Sequence, residues 1–203
     1  MAEINNPGED KAWEILSTLN PEEVCKSAAV FYDVASLRYI IPSFGMDFSI
    51  SVQDRAITST APGSDVFLQK LGYFFRLSVL WYLVHSKNFP CTGRLVKLEN
   101  IKGGDIFTKG SHVLPLEKVA EKYGKDRKAF LNKGESLGCK PMKFGDVSIQ
   151  LSPLPKVPVV LLLWLEDKEF PARADLLFDS TCDLQLPTDI LWSIAMMSVL
   201  AML

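Results

Sequence analysis

Apolar side chains recur along this chain in two rhythms, one of helical spacing and one of strict alternation, broken by short polar stretches. In "NPEEV", Asn20 precedes Pro21, and two glutamates follow where a helix dipole favours negative charge. The pattern predicts a helix from there to about Val30, after a shorter one that uses Trp13, Ile15 and Leu16. From Leu37 the rhythm changes. In "MDFSISVQ", Phe48, Ile50 and Val52 alternate with polar residues, and "RYIIPSF" and "RAITST" flank this run as further strands of an antiparallel meander.

Ser64 is placed to cap a long helix from Asp65 to about His85, apolar on nearly all sides, the pattern of a central core helix. A strand over Arg94 to Leu98 follows, then the "KGGD" turn. After Ser111 come two amphipathic helices ending near Gly124 and Gly138, each read as a left-handed terminating glycine. "DVSIQL" alternates again, and Pro153, Pro155 and Pro158 exclude a helix before the aliphatic run Val159 to Leu165. That run reads as a strand buried on both faces, with "ADLLFD" as its partner across an acidic connection. Thr188 then caps a final Met-rich helix. The sum is an α+β fold, a mainly antiparallel sheet with a central long helix and several packed helices, in a single domain over 1–203 with 1–9 expected to be flexible.

At 203 residues, with 48% apolar and 23% charged side chains, the chain supports one sizeable core. Its 22 basic and 24 acidic residues leave no broad cationic surface, so nucleic acid is not an expected partner. The N-terminus lacks a basic segment followed by an apolar run, and both long apolar stretches fall short of the roughly 20 residues a membrane span needs. A cytoplasmic protein with reduced thiols is the expectation.

Cys25, Cys91, Cys139 and Cys182 are scattered, without the close spacing that presents two thiolates to one metal, so neither a metal nor a cofactor is expected. His85 and Cys91 are near enough in sequence to meet as base and nucleophile, although a structural thiol and a helix-end histidine explain them more simply. The paired glycines of "IKGGD" lack the flanking pattern of a phosphate loop. "WLEDKEFPAR" gathers three carboxylates, Lys168, Arg173 and two large aromatics. Acid–base chemistry needs two carboxyls at a defined separation in unlike environments, which a turn alone does not supply. A charged hairpin loop keeping its strands soluble is the simpler reading.

The stretch "LPKVPVVLLLWLEDKEFPARADLLFDSTCDLQLPTD", with "LWYLVHSKNFPCTGRLVKLENIKGGDIF" and "SLGCKPMKFGDVSIQLSPLP" before it, resembles an uncharacterised bacterial and archaeal domain-of-unknown-function family from about Leu71 onward. Some members of that family resemble fusions to a four-iron-four-sulfur segment of corrinoid iron–sulfur type, which implies work beside redox or corrinoid metabolism. The cluster's cysteine motif is absent from this chain, and the resemblance supplies no catalytic residues. The family pattern includes Trp164, Asp167, Glu169, Phe170 and Pro171, which raises the weight of a site in the acidic loop.

The favoured expectation is a small-molecule-binding or accessory module, with a small-molecule ligand or a redox or corrinoid protein as partner. Its candidate pocket residues are Tyr82, Arg94, Asp105, Asp146, Trp164, Asp167 and Glu169, with Arg94 pairing an anion and Trp164 offering a stacking face. One alternative is a metal-independent enzyme using Asp167, Glu169 or Asp146 for proton transfer. Another is a structural protein forming a homodimer through the C-terminal helix around Trp192, Met196 and Met197.

Overall fold

The computed structural model describes residues 7–104 and 110–203. Helix α1 (Pro7–Leu16) begins inside the segment expected to be flexible. Asn20 caps α2 (Pro21–Ala28) as its side chain accepts the Glu22 amide at 2.8 Å. That helix stops two residues short of Val30, because Ala29 turns left-handed and ends it. Four short antiparallel strands follow in sequential order: β1 (Phe31–Asp33), β2 (Arg38–Ser43), β3 (Met46–Ser51) and β4 (Ala56–Thr58). In β3 the expected alternation buries Phe48 and Ile50 completely.

The helix read as continuous from Asp65 is interrupted. A single wide turn over Val66–Lys70 closes with the Leu71 amide on the Val66 carbonyl, and α3 (Gly72–His85) starts afresh. Ser64 contributes its main-chain carbonyl to Phe67 and Leu68, and the helix start carries no side-chain cap. The interruption has a packing cause. In a regular helix residues eight apart point about 80° away from each other. One extra residue in the turn removes most of that offset. Phe67 and Phe75 can then both enter the aromatic cluster, with Phe67 stacked on Phe44 at 4.5 Å and Phe75 against Phe48 at 4.4 Å.

The second sheet has the order β5–β9–β8–β7–β6, formed by β5 (Leu95–Lys97), β6 (Lys140–Met142), β7 (Val147–Leu154), β8 (Val157–Trp164) and β9 (Arg173–Asp179). Every pairing in it is antiparallel. Between β5 and β6 lie α4 (Leu116–Tyr123) and α5 (Arg127–Ser136), and after β9 come a short α6 (Cys182–Gln185) and α7 (Thr188–Met202). The α3 helix packs against α1 and α7, and α7 buries Ile190, Leu191, Ile194, Met197 and Met202. Burial around so much of its circumference makes α7 a core element. Two further local readings change here. Gly124 is right-handed, at φ −60°, and the Thr188 hydroxyl donates to the Lys102 carbonyl while Pro187 occupies the cap position.

The two sheets are joined where the β2–β3 turn meets the second sheet. Phe44 donates its amide to the Ser152 carbonyl at 2.9 Å, and the Ser43 hydroxyl donates to the Pro153 carbonyl at 2.7 Å. Gly45 and Gly138, both with positive φ, touch main chain to main chain. A Cβ on Gly138 would lie 2.7 Å from the Gly45 Cα. At the other end of β9, buried Asp179 accepts hydrogen bonds from the main chain of Thr181, Thr92 and Gly93 and from the Thr181 hydroxyl. Burial pushes this carboxyl up, but the bonds from Thr181, Thr92 and Gly93 outweigh it and hold the group below its ordinary value.

Two outcomes follow for stability. Gly138→Ala should lower the unfolding free energy by about 3 kcal/mol, whereas Gly63→Ala, whose added methyl meets open space, should cost about 1–2 kcal/mol for backbone strain alone, both read from urea unfolding. Asp179→Asn should cost about 2–3 kcal/mol near neutral pH, because it replaces a charged acceptor in a buried network. Since the folded carboxyl titrates below the unfolded one, its contribution is fully present above the unfolded value of about 3.9 and is lost as pH falls through the lower folded value. Wild type and variant should therefore converge in acid.

Candidate functional site

The acidic connection answers to the strands on either side. Trp164 closes β8 directly opposite Arg173, the first residue of β9, so residues 165–172 must reverse the chain outside the sheet. Asp167 organises that reversal. Its carboxylate accepts the amides of Glu169 and Phe170, both at 2.8 Å, while its own amide donates to the Phe170 carbonyl. The two amides hold the Asp167 carboxyl below its ordinary value. Asp146 accepts the Leu165 amide at 2.8 Å, Glu166 donates its amide to the Gly124 carbonyl at 3.0 Å, and Lys125 pairs with Glu166 at 3.1 Å. The loop is therefore docked on the end of α4.

Gly124 is what lets it dock. A Cβ there would fall 2.2 Å from the Ala172 Cβ and 2.5 Å from the Ala120 carbonyl oxygen. Between α4 and the loop lies an open groove of about 900 Å³. Leu116, Ala120, Leu165, Phe170, Pro171 and Ala174 give it apolar surface, and Trp164 with Arg173 closes one side. The Arg173 guanidinium lies over the indole at 4.1 Å, a cation–π contact, and pairs with no carboxylate among the described residues. Glu117 and Glu121 are one helical turn apart on α4 and join Asp146, Glu166 and Asp167 around the groove, against Lys125 and Arg173. The field at this site is acidic.

Of the residues expected at a pocket, Asp146, Trp164 and Asp167 line this groove together. Glu169 belongs to the same loop but stands exposed outside the lining. Tyr82 is fully buried in α3, where its hydroxyl donates to the Ala28 carbonyl and accepts the Lys156 amide. Arg94 is exposed beyond the far end of β9, its carbonyl bonded to Ser180, about 20 Å of strand away from Trp164. Asp105 lies outside the described residues. Arg173, Glu117 and Glu121 complete the groove without having been selected from sequence. The hairpin reading already contained a signal for Arg173, since closing 164–173 sets it opposite Trp164.

The thiols and imidazoles take other roles. Cys91 donates to the Lys156 carbonyl at 3.5 Å, and burial together with the Asp179 charge pushes its thiol up, away from the reactive thiolate. Burial lowers the His85 imidazole, which stacks on Trp81 at 5.0 Å. Burial also pushes the Cys182 thiol up to about 12. Among the described residues no three His, Cys, Asp or Glu side chains gather as a metal set, and no helix is long and apolar enough to cross a membrane.

Residues 20–201 match the family model described as Domain of unknown function (DUF3786), and the chain belongs to that family. No curated protein and no solved structure matches it.

Docking of the loop on α4 can be tested at its tightest point. Gly124→Ala should lower stability by about 1–3 kcal/mol and speed amide exchange at Glu166, whose partner is the Gly124 carbonyl. Adding Ala172→Gly should recover part of the loss; a strictly additive double mutant would show that the two residues do not meet.

Proposed function

We propose that this DUF3786 chain is a binding or accessory module whose ligand occupies the groove between α4 and the Trp164–Arg173 hairpin. The observation that carries the reading is the Arg173 guanidinium stacked on Trp164 with no carboxylate partner among the described residues. A guanidinium paired for structure alone would face an acid, and Glu117, Glu121 and Asp146 border the same groove. Stacking instead holds its planar donors in one orientation beside apolar surface, an arrangement suited to a ligand carbonyl or carboxylate. The surrounding acids suit a ligand that also carries positive charge.

A binding role is favoured over acid–base catalysis by what the loop carboxylates do. Asp167 accepts two loop amides and Asp146 accepts the Leu165 amide, so both already hold main chain in place. The redox or corrinoid partner implied by the family resemblance bears on how a ligand is retained, and the protein is best purified without oxygen.

Native mass spectrometry of such material should show an added mass on the wild-type chain. Trp164→Leu keeps apolar bulk but removes the stacking face, and should lose about ten-fold or more of that occupancy with little change in melting temperature. An adduct that persists in Trp164→Leu would overturn the assignment. So would a bare wild type that gains no thermal stability from broad libraries of small organic molecules and short peptides.

A further inference from the structure

The second sheet is incomplete along β9. On one side β8 opposes every residue from Arg173 to Phe178, but on the other β5 opposes only Leu177, Phe178 and Asp179. In an antiparallel ladder successive residues turn their main-chain groups to opposite sides. Ser180 donates its amide to the Arg94 carbonyl at 2.7 Å and so faces the β5 side. By alternation Phe178, Leu176 and Ala174 face that side too. Leu176 donates its amide to the Asp175 carboxylate at 3.0 Å, as expected of a residue that β5 does not reach. On that side no strand among the described residues lies beside Ala174.

The strand position left open among the described residues adjoins the groove. Ala174 lines the groove itself, and Leu176 lines a smaller cavity of about 170 Å³ beside the end of β5, with Leu116 bordering both. A donor and an acceptor of Ala174 are thus aimed where no strand lies among the described residues, in the groove that Glu117 and Glu121 also line. We propose that the occupant is an extended, lysine- or arginine-bearing segment of a partner polypeptide, which lies along β9 and pairs its main chain with that of Ala174, while Leu176 is buried with its amide already bonded to Asp175. The inference rests on the reading of the groove as the binding site, and it names the ligand class. Main-chain pairing would supply affinity, and charge complementarity to the acidic lining would select basic side chains. About two to three residues would cover the open stretch, Arg173 to Asp175, at roughly 3.3 Å per residue.

The test uses the full-length protein and an array of short random peptides, with binders measured afterwards by fluorescence anisotropy. Binders should be basic and poor in proline, and added salt should weaken them. Ala174→Pro removes an outward-facing amide without touching the β8 ladder, and should weaken binding by about ten-fold or more. Glu117→Lys should weaken it by about five-fold or more. In the wild type, bound peptide should slow amide exchange at Ala174 by about ten-fold or more. That measurement decides the matter if Ala174→Pro does not fold.

An array with no binders, or with binders that are acidic or neutral, overturns the inference. If Trp164→Leu abolishes binding while Ala174→Pro retains it and Ala174 gains no protection, the groove reading stands and strand addition falls. If Trp164→Leu also binds normally, both fall.

Discussion

Everything described here depends on one strand that has no exposed side. From Val157 to Leu163, β8 is buried on both faces apart from Pro158, and its edges are taken by β7 and β9. Such a strand must find main-chain partners on both sides, because an unpaired buried amide or carbonyl costs about 1–3 kcal/mol. The cheapest source of partners is the chain immediately before and after it. Pro155 and Lys156 turn β7 into β8, and the acidic loop turns β8 into β9. The position of the loop is therefore a consequence of the burial of β8, and the groove is the space left where that loop leans against α4.

This dependence explains why the middle of the second sheet was legible from sequence. A continuous aliphatic run bounded by turn residues specifies a doubly buried strand, and the next β-rich run is then its nearest partner. Helix α2 was legible for a similarly local reason, since Asn20, Pro21 and two glutamates determine its start within five residues. What sequence did not show were features decided by distant contacts. The wide turn at Val66–Lys70 exists because Phe67 and Phe75 share one aromatic cluster. Gly124 looks like a left-handed terminator, but its bare Cα is needed for the approach of Ala172, which is 48 positions later in the chain. Tyr82 looked like a pocket residue because a phenol is useful in one. It is equally useful for satisfying a helix-end carbonyl and a turn amide in the core, and that is its place.

The acidic loop is both a turn and part of a site, and the division runs residue by residue. Asp167 and Asp146 hold main chain, Glu166 is engaged by Lys125 and Gly124, and Glu169 points to solvent. None of these has the unlike, partly desolvated environment that separates an acid from a base. Arg173 is the exception in the hairpin, a charge held by a ring and paired with no carboxylate among the described residues.

That exception acquires a reason beside the half-open edge of β9. A free edge next to a sheet this apolar is a hazard, since any extended segment with matching side chains could add to it. The chain limits the hazard with charge. Arg173 and the Lys97–Asp175 pair, at 2.8 Å, flank the edge, Asp175 takes the Leu176 amide, and Glu117 and Glu121 stand across the groove. An edge that had only to be protected could have been closed by a longer β5, the solution used over Leu177–Asp179. Leaving Ala174 uncovered behind a predominantly acidic rim repels another acidic or apolar strand but not a basic one. The same charges that keep the sheet from adding strands indiscriminately would therefore define the one kind of strand it could accept.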